Sequence, residues 1–127
     1  MARFAWICLG GAIGTGARYL LSGWAFALLG PGFPWGTLAV NVLGSFAIGG
    51  IMHLALAAKV LGPTLRLTLT TGVLGGFTTY SAFNYETLQY LRESNWGLGL
   101  ANVAATLLLC LAAGAAGLAL ARWIAGV

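Results

Sequence analysis

Charge is the scarcest property of this chain. Of its 127 residues only eight are charged, six Lys or Arg and two Asp or Glu, whereas 60% are hydrophobic. An ordinary soluble domain carries roughly a quarter charged residues. The six positive residues stand singly, so no basic run supports nucleic-acid binding. The composition therefore excludes a soluble domain and predicts one all-α integral membrane domain over residues 1–127.

Cysteine, histidine and carboxylates are also too few to build the common catalytic or metal sites. Cys8 and Cys110 each lie within an apolar run, with no Cys or His companion at ligand spacing. A disulfide framework and a zinc site are therefore not expected. No nucleophile with a base and no acid/base pair is present, so the sequence predicts that the protein is not an enzyme. His53 and Glu86 stand alone, and the sequence assigns neither of them a role.

Four long apolar runs make up most of what remains, and a membrane helix needs roughly 20 such residues. The N-terminus resembles a signal peptide, but its hydrophobicity continues, which favours a retained first span. Four spans make a thin bundle, so we expect an oligomer, most simply a dimer with its polar positions at the seam. The predicted spans are Phe4–Leu29, Leu38–Ala58, Leu65–Tyr90 and Leu98–Ile124.

Basic residues near the span ends indicate an orientation. Arg3, Lys59, Arg66 and Arg122 fall on the side shared by both termini, and Arg92 falls on the other. The positive-inside rule then predicts that both termini lie in the cytoplasm.

The third run is interrupted by two glycines and a group of hydroxyl-bearing residues, in Gly75–Ser81. Hydrocarbon cannot hydrogen-bond loose backbone groups, so such a segment persists only where it is buried in protein or lines a polar cavity. The glycine pair followed by threonines predicts a helix that stops and restarts at mid-membrane. Its free N–H groups and carbonyls would be suited to ions.

Tyr80 and Phe83 are three residues apart and share a face of the restarted helix. The edge of an aromatic ring is positive, so ring edges can contact an anion favourably while excluding water. Ordinary core packing explains most aromatic pairs. The neighbouring Thr79 and Ser81 favour the ion site here, because packing alone would favour Leu or Val at these positions.

Two other spans carry polar residues that have both a packing and an ion-binding explanation. An interhelical hydrogen bond is the common role of a lone Asn, but the polar third span favours a ligand-facing Asn41. Asn102, Thr106, Cys110 and Gly114 recur every four residues along the last span. A helix–helix contact face is the commoner explanation of that stripe. The alternative is a row of hydroxyl and amide hydrogen-bond donors along a narrow ion route.

The first span carries Gly10, Gly14 and Arg18 at the same spacing of four residues. Close helix packing is the favoured explanation of the two glycines. A guanidinium inside a span is costly unless it is paired or solvated. Arg18 therefore either ends an aqueous vestibule that attracts anions or anchors the span by snorkelling.

These motifs resemble those of the Fluc/CrcB fluoride channels over essentially the whole chain. The resemblance is carried by Gly10–Gly14 with Arg18 and Tyr19, by Gly36–Phe46, and above all by Thr71–Phe83. It implies a fluoride-selective passive channel of the cell (inner) membrane, which exports cytoplasmic fluoride and protects a microbe. The family assembles as antiparallel, dual-topology homodimers with two ion routes.

The resemblance also implies roles for individual residues. A central sodium ion would be held by the backbone carbonyls of Gly75 and Thr78 from both protomers, as a structural and not a transported ion. Arg18 would line a vestibule. The fluoride route would fall on Asn41, Tyr80, Ser81, Phe83, Asn102, Thr106 and Cys110.

Three positions depart from the usual residues of that family. Tyr80 replaces a Phe, Ala82 replaces a Thr, and Cys110 is a poorer donor than the usual residues of the last-span track. Two alternatives remain. A small four-span, proton-coupled multidrug antiporter would need a membrane carboxylate, for which only Glu86 could serve. A non-transporting assembly subunit would leave the interrupted third span unexplained.

Overall fold

The computed structural model describes residues 1–126, and every regular element in that range is helical. Two long helices come first, a broken rod follows, and a long helix ends the chain. The predicted all-helical fold is therefore confirmed. The elements are α1 (Ala2–Leu29), α2 (Trp35–Leu56), a rod made of α3 (Pro63–Leu67), a π-helical segment (Thr68–Leu74), α4 (Gly75–Phe77) and α5 (Tyr80–Arg92), and finally α6 (Trp96–Ala125).

Three of the helices, α1, α2 and α6, are long and apolar enough to cross a membrane. They coincide with the first, second and fourth predicted spans. The third predicted span, 65–90, lies within the broken rod, whose longest uninterrupted α-helix has 13 residues. Because of this interruption, the rod is not among the continuous helices long enough to cross a membrane.

Glycine and proline set the element boundaries. α1 ends at Leu29 and is followed by Gly30, whose φ of 77° is readily adopted by a residue without a Cβ. Pro63 begins the rod at the first helical position, where its missing N–H would have no partner anyway.

The rod is broken near its middle, as predicted, but the break lies just beyond the glycine pair. Gly75 and Gly76 are helical, whereas Thr78 and Thr79 have extended backbones, with ψ of 159° and 119°. The two threonines satisfy much of the local hydrogen bonding. The Thr78 hydroxyl donates to the carbonyl of Leu74 at 2.9 Å, and the Thr79 hydroxyl accepts from the N–H of Ala82 at 3.2 Å. Short hydroxyl side chains compete with the helix in this way.

The glycines before the break instead let the rod approach α1. A Cβ on Gly76 would overlap the carbonyl oxygen of Gly11, and one on Gly14 would overlap the carbonyl of Val73. Gly10 and Gly14 are among the few buried residues of α1. Close packing is thus confirmed as the role of these two glycines.

The buried apolar core of a single chain is small. It contains only alanines and a few larger residues, while most large apolar side chains of the helices are exposed. Such surfaces require lipid or a partner to cover them. The buried hydrophobic residues are Ala25, Leu38, Val40, Ala55, Leu74 and Ala121.

Candidate functional site

A groove of about 630 Å³ runs between α2, the break and α6. Its walls combine aliphatic side chains with hydroxyls, one amide, one thiol and two aromatic rings. The break itself forms part of the wall through Gly75, Thr78 and Thr79. The other polar and aromatic lining residues are Asn41, Ser45, Thr70, Tyr80, Phe83, Thr106 and Cys110.

Asn41 joins α2 to the break through two hydrogen bonds. Its Oδ1 accepts from the N–H of Thr79 at 2.8 Å, and its Nδ2 donates to the carbonyl of Thr79 at 2.9 Å. Both residues are buried. One turn further along α2, Gly44 faces the methyl group of Thr78, which a Cβ at position 44 would overlap. Two residues of α2 therefore hold the two residues of the break.

The two predicted aromatic residues lie on the groove wall at the start of α5. The rings of Tyr80 and Phe83 have centroids 5.6 Å apart and planes inclined by 58°. The edge of each ring carries partial positive charge, and its face carries partial negative charge. Tyr80 is 78% exposed, so its ring lies at the open surface of the groove.

Thr106 lies on the opposite wall, on α6. Its Oγ1 is buried and has no hydrogen-bond partner within residues 1–126. A buried hydroxyl without a partner is costly in a folded protein and calls for an explanation. The Cys110 thiol follows one turn later along the same wall.

Two predicted route residues, Ser81 and Asn102, and the predicted vestibule residue Arg18 lie outside the groove wall. Asn102 is only 1% exposed, and its Nδ2 donates to Oγ1 of Thr87 at 3.0 Å. Ser81 is exposed, with its Oγ 3.3 Å from Oγ1 of Thr79. Arg18 is half-buried on α1 and does not line the groove. The structure thus brings together Asn41, Tyr80, Phe83, Thr106 and Cys110 but not Ser81, Asn102 and Arg18.

A second polar contact was missed from the sequence. The hydroxyl of Thr37 on α2 donates to Oε1 of Glu86 on α5 at 2.6 Å. Its Oε2 is buried and has no hydrogen-bond partner in the described chain. Glu86 lies three residues after Phe83, one turn further along α5. A lone carboxylate within an apolar run, one turn after Phe83, is the sequence signal that could have indicated this contact.

The residues at the break fit a hard cation such as sodium. Such ions prefer oxygen ligands, and the carbonyl end of a helix carries partial negative charge. Gly75, the first residue of α4, and Thr78, which follows its last residue, both line the groove. The N–H of Thr79 donates to Asn41, so it does not occupy the Gly75 carbonyl as it would in a continuous helix.

A second groove, of about 640 Å³, continues along α2 and α6. It shares Ser45, Ile48, Cys110 and Leu111 with the first, and its remaining lining is almost wholly apolar apart from His53. The two grooves together form one long concave face of the chain.

Comparison with known proteins places these features in a family. The sequence profile described as CrcB-like protein, Camphor Resistance (CrcB) matches residues 5–118. A protein of Sorangium cellulosum is 56% identical over 122 residues, which are 96% of each chain. One of Anaeromyxobacter dehalogenans is 54% identical over 99% of this chain and 100% of its own. One of Geobacter sulfurreducens is 51% identical over 91% of this chain and 94% of its own.

All three relatives bear the name Fluoride-specific ion channel FluC. Together with the three helices long enough to span a bilayer, the match makes this chain a multi-pass membrane protein. The profile match covers most of the chain, and the relatives match it nearly end to end. The chain therefore belongs to the CrcB family.

Proposed function

We propose that this protein is a fluoride-selective passive channel of the bacterial inner membrane, which exports cytoplasmic fluoride and so confers fluoride resistance. The observation that carries the proposal is the groove at the helix break, where an amide, an unpartnered hydroxyl and two aromatic rings meet. The names of the relatives, at 51–56% identity, support fluoride as the ion.

The chemistry of the groove suits a small, strongly hydrated anion. A pore must replace the water of such an ion with other donors. Asn41 still has one amide hydrogen after its bond to Thr79, and the hydroxyl of Thr106 has no partner among the described residues. The edges of the Tyr80 and Phe83 rings add weak positive charge. None of these groups carries a full positive charge that would trap the ion.

The same proposal places further residues along the route. Asn102 bonds to Thr87, one turn of α5 beyond Phe83, and would extend the donors away from the groove. Ser81 would contribute its hydroxyl beside Thr79. Arg18 would attract anions to a vestibule.

We further propose an antiparallel homodimer of dual topology, with four membrane spans in each protomer. In one chain the groove is open at the surface, so a second copy facing it would complete two routes. The apolar character of the adjoining groove supports this arrangement. The carbonyls of Gly75 and Thr78 from both copies would hold a structural sodium ion, which would supply fixed positive charge at the centre of the dimer.

A proton-coupled antiporter is the second candidate, and Glu86 is the observation in its favour. Membrane-embedded carboxylates are the usual proton carriers of such machines, and one oxygen of Glu86 has no partner within residues 1–126. The two candidates differ in their coupling. A passive channel moves fluoride down its own gradient, whereas an exchanger requires proton movement in the opposite direction.

Ion efflux from liposomes tests the proposal. Vesicles with purified protein are loaded with potassium fluoride or potassium chloride, and valinomycin is added to carry the compensating potassium. We expect rapid fluoride release, hardly any chloride release, and no effect of an imposed proton gradient beyond its electrical contribution. Equal release of both anions, or release of neither, would contradict the channel. Fluoride movement driven by the proton gradient would favour the exchanger.

A further inference from the structure

The contact between Asn41 and the break affects whether the backbone carbonyl of Gly75 has a hydrogen-bond partner. Asn41 pairs with both backbone groups of Thr79, as a neighbouring β-strand would. Both bonds are short, and the exposed fraction of each residue is 9%. The amide side chain thus takes the place of a strand for the one stretch of extended backbone in the rod.

This pairing redirects one particular N–H group. In a continuous α-helix the N–H of residue 79 donates to the carbonyl of residue 75. The N–H of Thr78 keeps the corresponding helical bond, to the carbonyl of Leu74 at 2.9 Å. The N–H of Thr79 donates to Asn41 instead. Asn41 therefore withholds from the Gly75 carbonyl the partner that would otherwise occupy it.

We propose that Asn41 is a latch, a positioning residue that keeps the third rod broken and the carbonyl of Gly75 available to a cation. This deepens the proposed function, because it rests on the cation site at Gly75 and Thr78. One side chain then acts on both ions. The amide of Asn41 lines the groove proposed for the anion, and it also determines whether the carbonyl of Gly75 is available to the cation.

The balance of hydrogen bonds explains why the latch holds. Closing the helix would give the Thr79 N–H a new carbonyl partner, but it would break both bonds to Asn41. The Asn41 amide would then be buried with its acceptor and donors unsatisfied, which costs more than a single bond returns. An apolar side chain at position 41 forms neither bond to Thr79 and has no polar group that a closed helix would leave unsatisfied. Such a side chain therefore favours the closed helix.

Backbone conformation in the full-length protein tests the latch directly. The 13C shifts of Thr78 and Thr79, measured by solid-state NMR in bilayers, distinguish extended from helical residues. Asn41→Leu is similar in size and removes both bonds, so we expect both threonines to move to helical or averaged shifts. Asn102→Leu removes another buried amide without touching the break, and its Thr78 and Thr79 shifts should stay extended. Extended shifts in Asn41→Leu would overturn the proposal.

Asn41→Asp provides a milder variant in case Asn41→Leu fails to fold. Its carboxylate still accepts from the N–H of Thr79 but no longer donates to the Thr79 carbonyl. We expect a partial change, with the extended shift of Thr79 retained and its carbonyl resonance displaced. Shifts for Asn41→Asp identical to those of the unmodified protein would also overturn the latch.

A sodium-dependent melting experiment tests the link to the cation. A ligand that binds only the folded state raises its melting temperature. We expect the unmodified protein and Asn102→Leu to melt higher in sodium chloride than in N-methylglucamine chloride, and Asn41→Leu to lose most of that difference. A merely structural role would lower both melting temperatures and preserve the difference, which would overturn the link. No sodium effect in the unmodified protein would overturn the cation site, while fluoride efflux still tests the channel separately.

Discussion

Single residues of the groove differ in whether their polar atoms already have partners. Asn41 uses its acceptor and one donor on Thr79, whereas the hydroxyl of Thr106 has no partner in the described chain. A buried hydroxyl without a partner destabilises the fold. In a route for a strongly hydrated anion, however, the same hydroxyl is a donor that needs no rearrangement. Stability and conduction therefore have opposite requirements at Thr106.

Replacing Thr106 by Val separates these two effects. Valine has nearly the same shape and no hydroxyl, so the free energy of unfolding should stay unchanged or rise by up to about 1 kcal/mol. Fluoride efflux should fall by a factor of about five, the effect of losing one modest hydrogen bond. Thr106→Ser restores the hydroxyl and should recover most of the flux. A Val variant that conducts as fast as the original would exclude Thr106 from the route.

Replacing Phe83 by Ile tests the ring edges. The aliphatic side chain fills much of the same volume but has no quadrupole. We expect fluoride efflux to fall at least about tenfold, which corresponds to about 1.4 kcal/mol in the barrier. Phe26→Ile, at an exposed ring on α1 away from the groove, is the matched control and should conduct normally. If both variants conduct equally, the ring of Phe83 has no special role.

Among the elements, the contact between α1 and the broken rod depends on glycines, which have no side chain. A Cβ at Gly14 would overlap the carbonyl of Val73 and lie 2.9 Å from the nitrogen of Phe77, immediately before the break. The backbone of the rod cannot yield as a flexible side chain would. Any residue larger than glycine at this position must therefore push the rod away from α1.

The pair Gly14→Ala and Gly16→Ala tests this contact on one helix. Gly14→Ala should lower the free energy of unfolding by about 1–3 kcal/mol, as overpacking does. It should also lower fluoride flux, because the displaced rod carries the break. At Gly16 a Cβ would meet open space, so Ala should be neutral or raise stability by up to about 1 kcal/mol. Equal behaviour of the two variants in thermal melts would contradict the packing account.

The sequence predicts the helices more closely than it predicts the break. Long apolar runs indicate α1, α2 and α6 because length and hydropathy alone define a membrane helix. The glycine pair indicates an interruption, but the residues that leave the helix are Thr78 and Thr79. That choice depends on Asn41, 38 positions away from Thr79, and no local pattern reveals such a pairing.

The candidate site is predicted in part for a similar reason. Asn41, Tyr80, Phe83 and Thr106 share one groove, as motifs in three different elements suggested. Asn102 instead bonds to Thr87 on α5. Which face of α6 turns toward α5 depends on the rotation of a helix that is apolar or small on nearly every side. Hydrophobic periodicity therefore contains no information about it.

For the whole molecule, the most informative surface is the concave face formed by the two grooves. They share lining residues and run along α2 and α6, so a partner that fits one also covers the other. Lipid tails can cover a convex apolar helix, but an open groove lined by hydroxyls and an amide is better covered by a protein surface with polar groups of its own. In the proposed homodimer, a second copy would supply both that surface and the remaining carbonyls of the proposed cation site.

Two leucines of α6 allow a matched test of the proposed homodimer. Leu111 is 66% exposed and lines both grooves, whereas Leu108 is 65% exposed and lines neither. Leu111→Trp should fill the concave face and weaken dimerisation in liposomes at least about tenfold, or about 1.4 kcal/mol. Leu108→Trp should leave the equilibrium unchanged, because lipid accommodates a larger side chain. Single-molecule photobleaching counts the protomers, and fluoride flux should fall with the dimer fraction. Normal dimers in Leu111→Trp would place the protomer contact elsewhere.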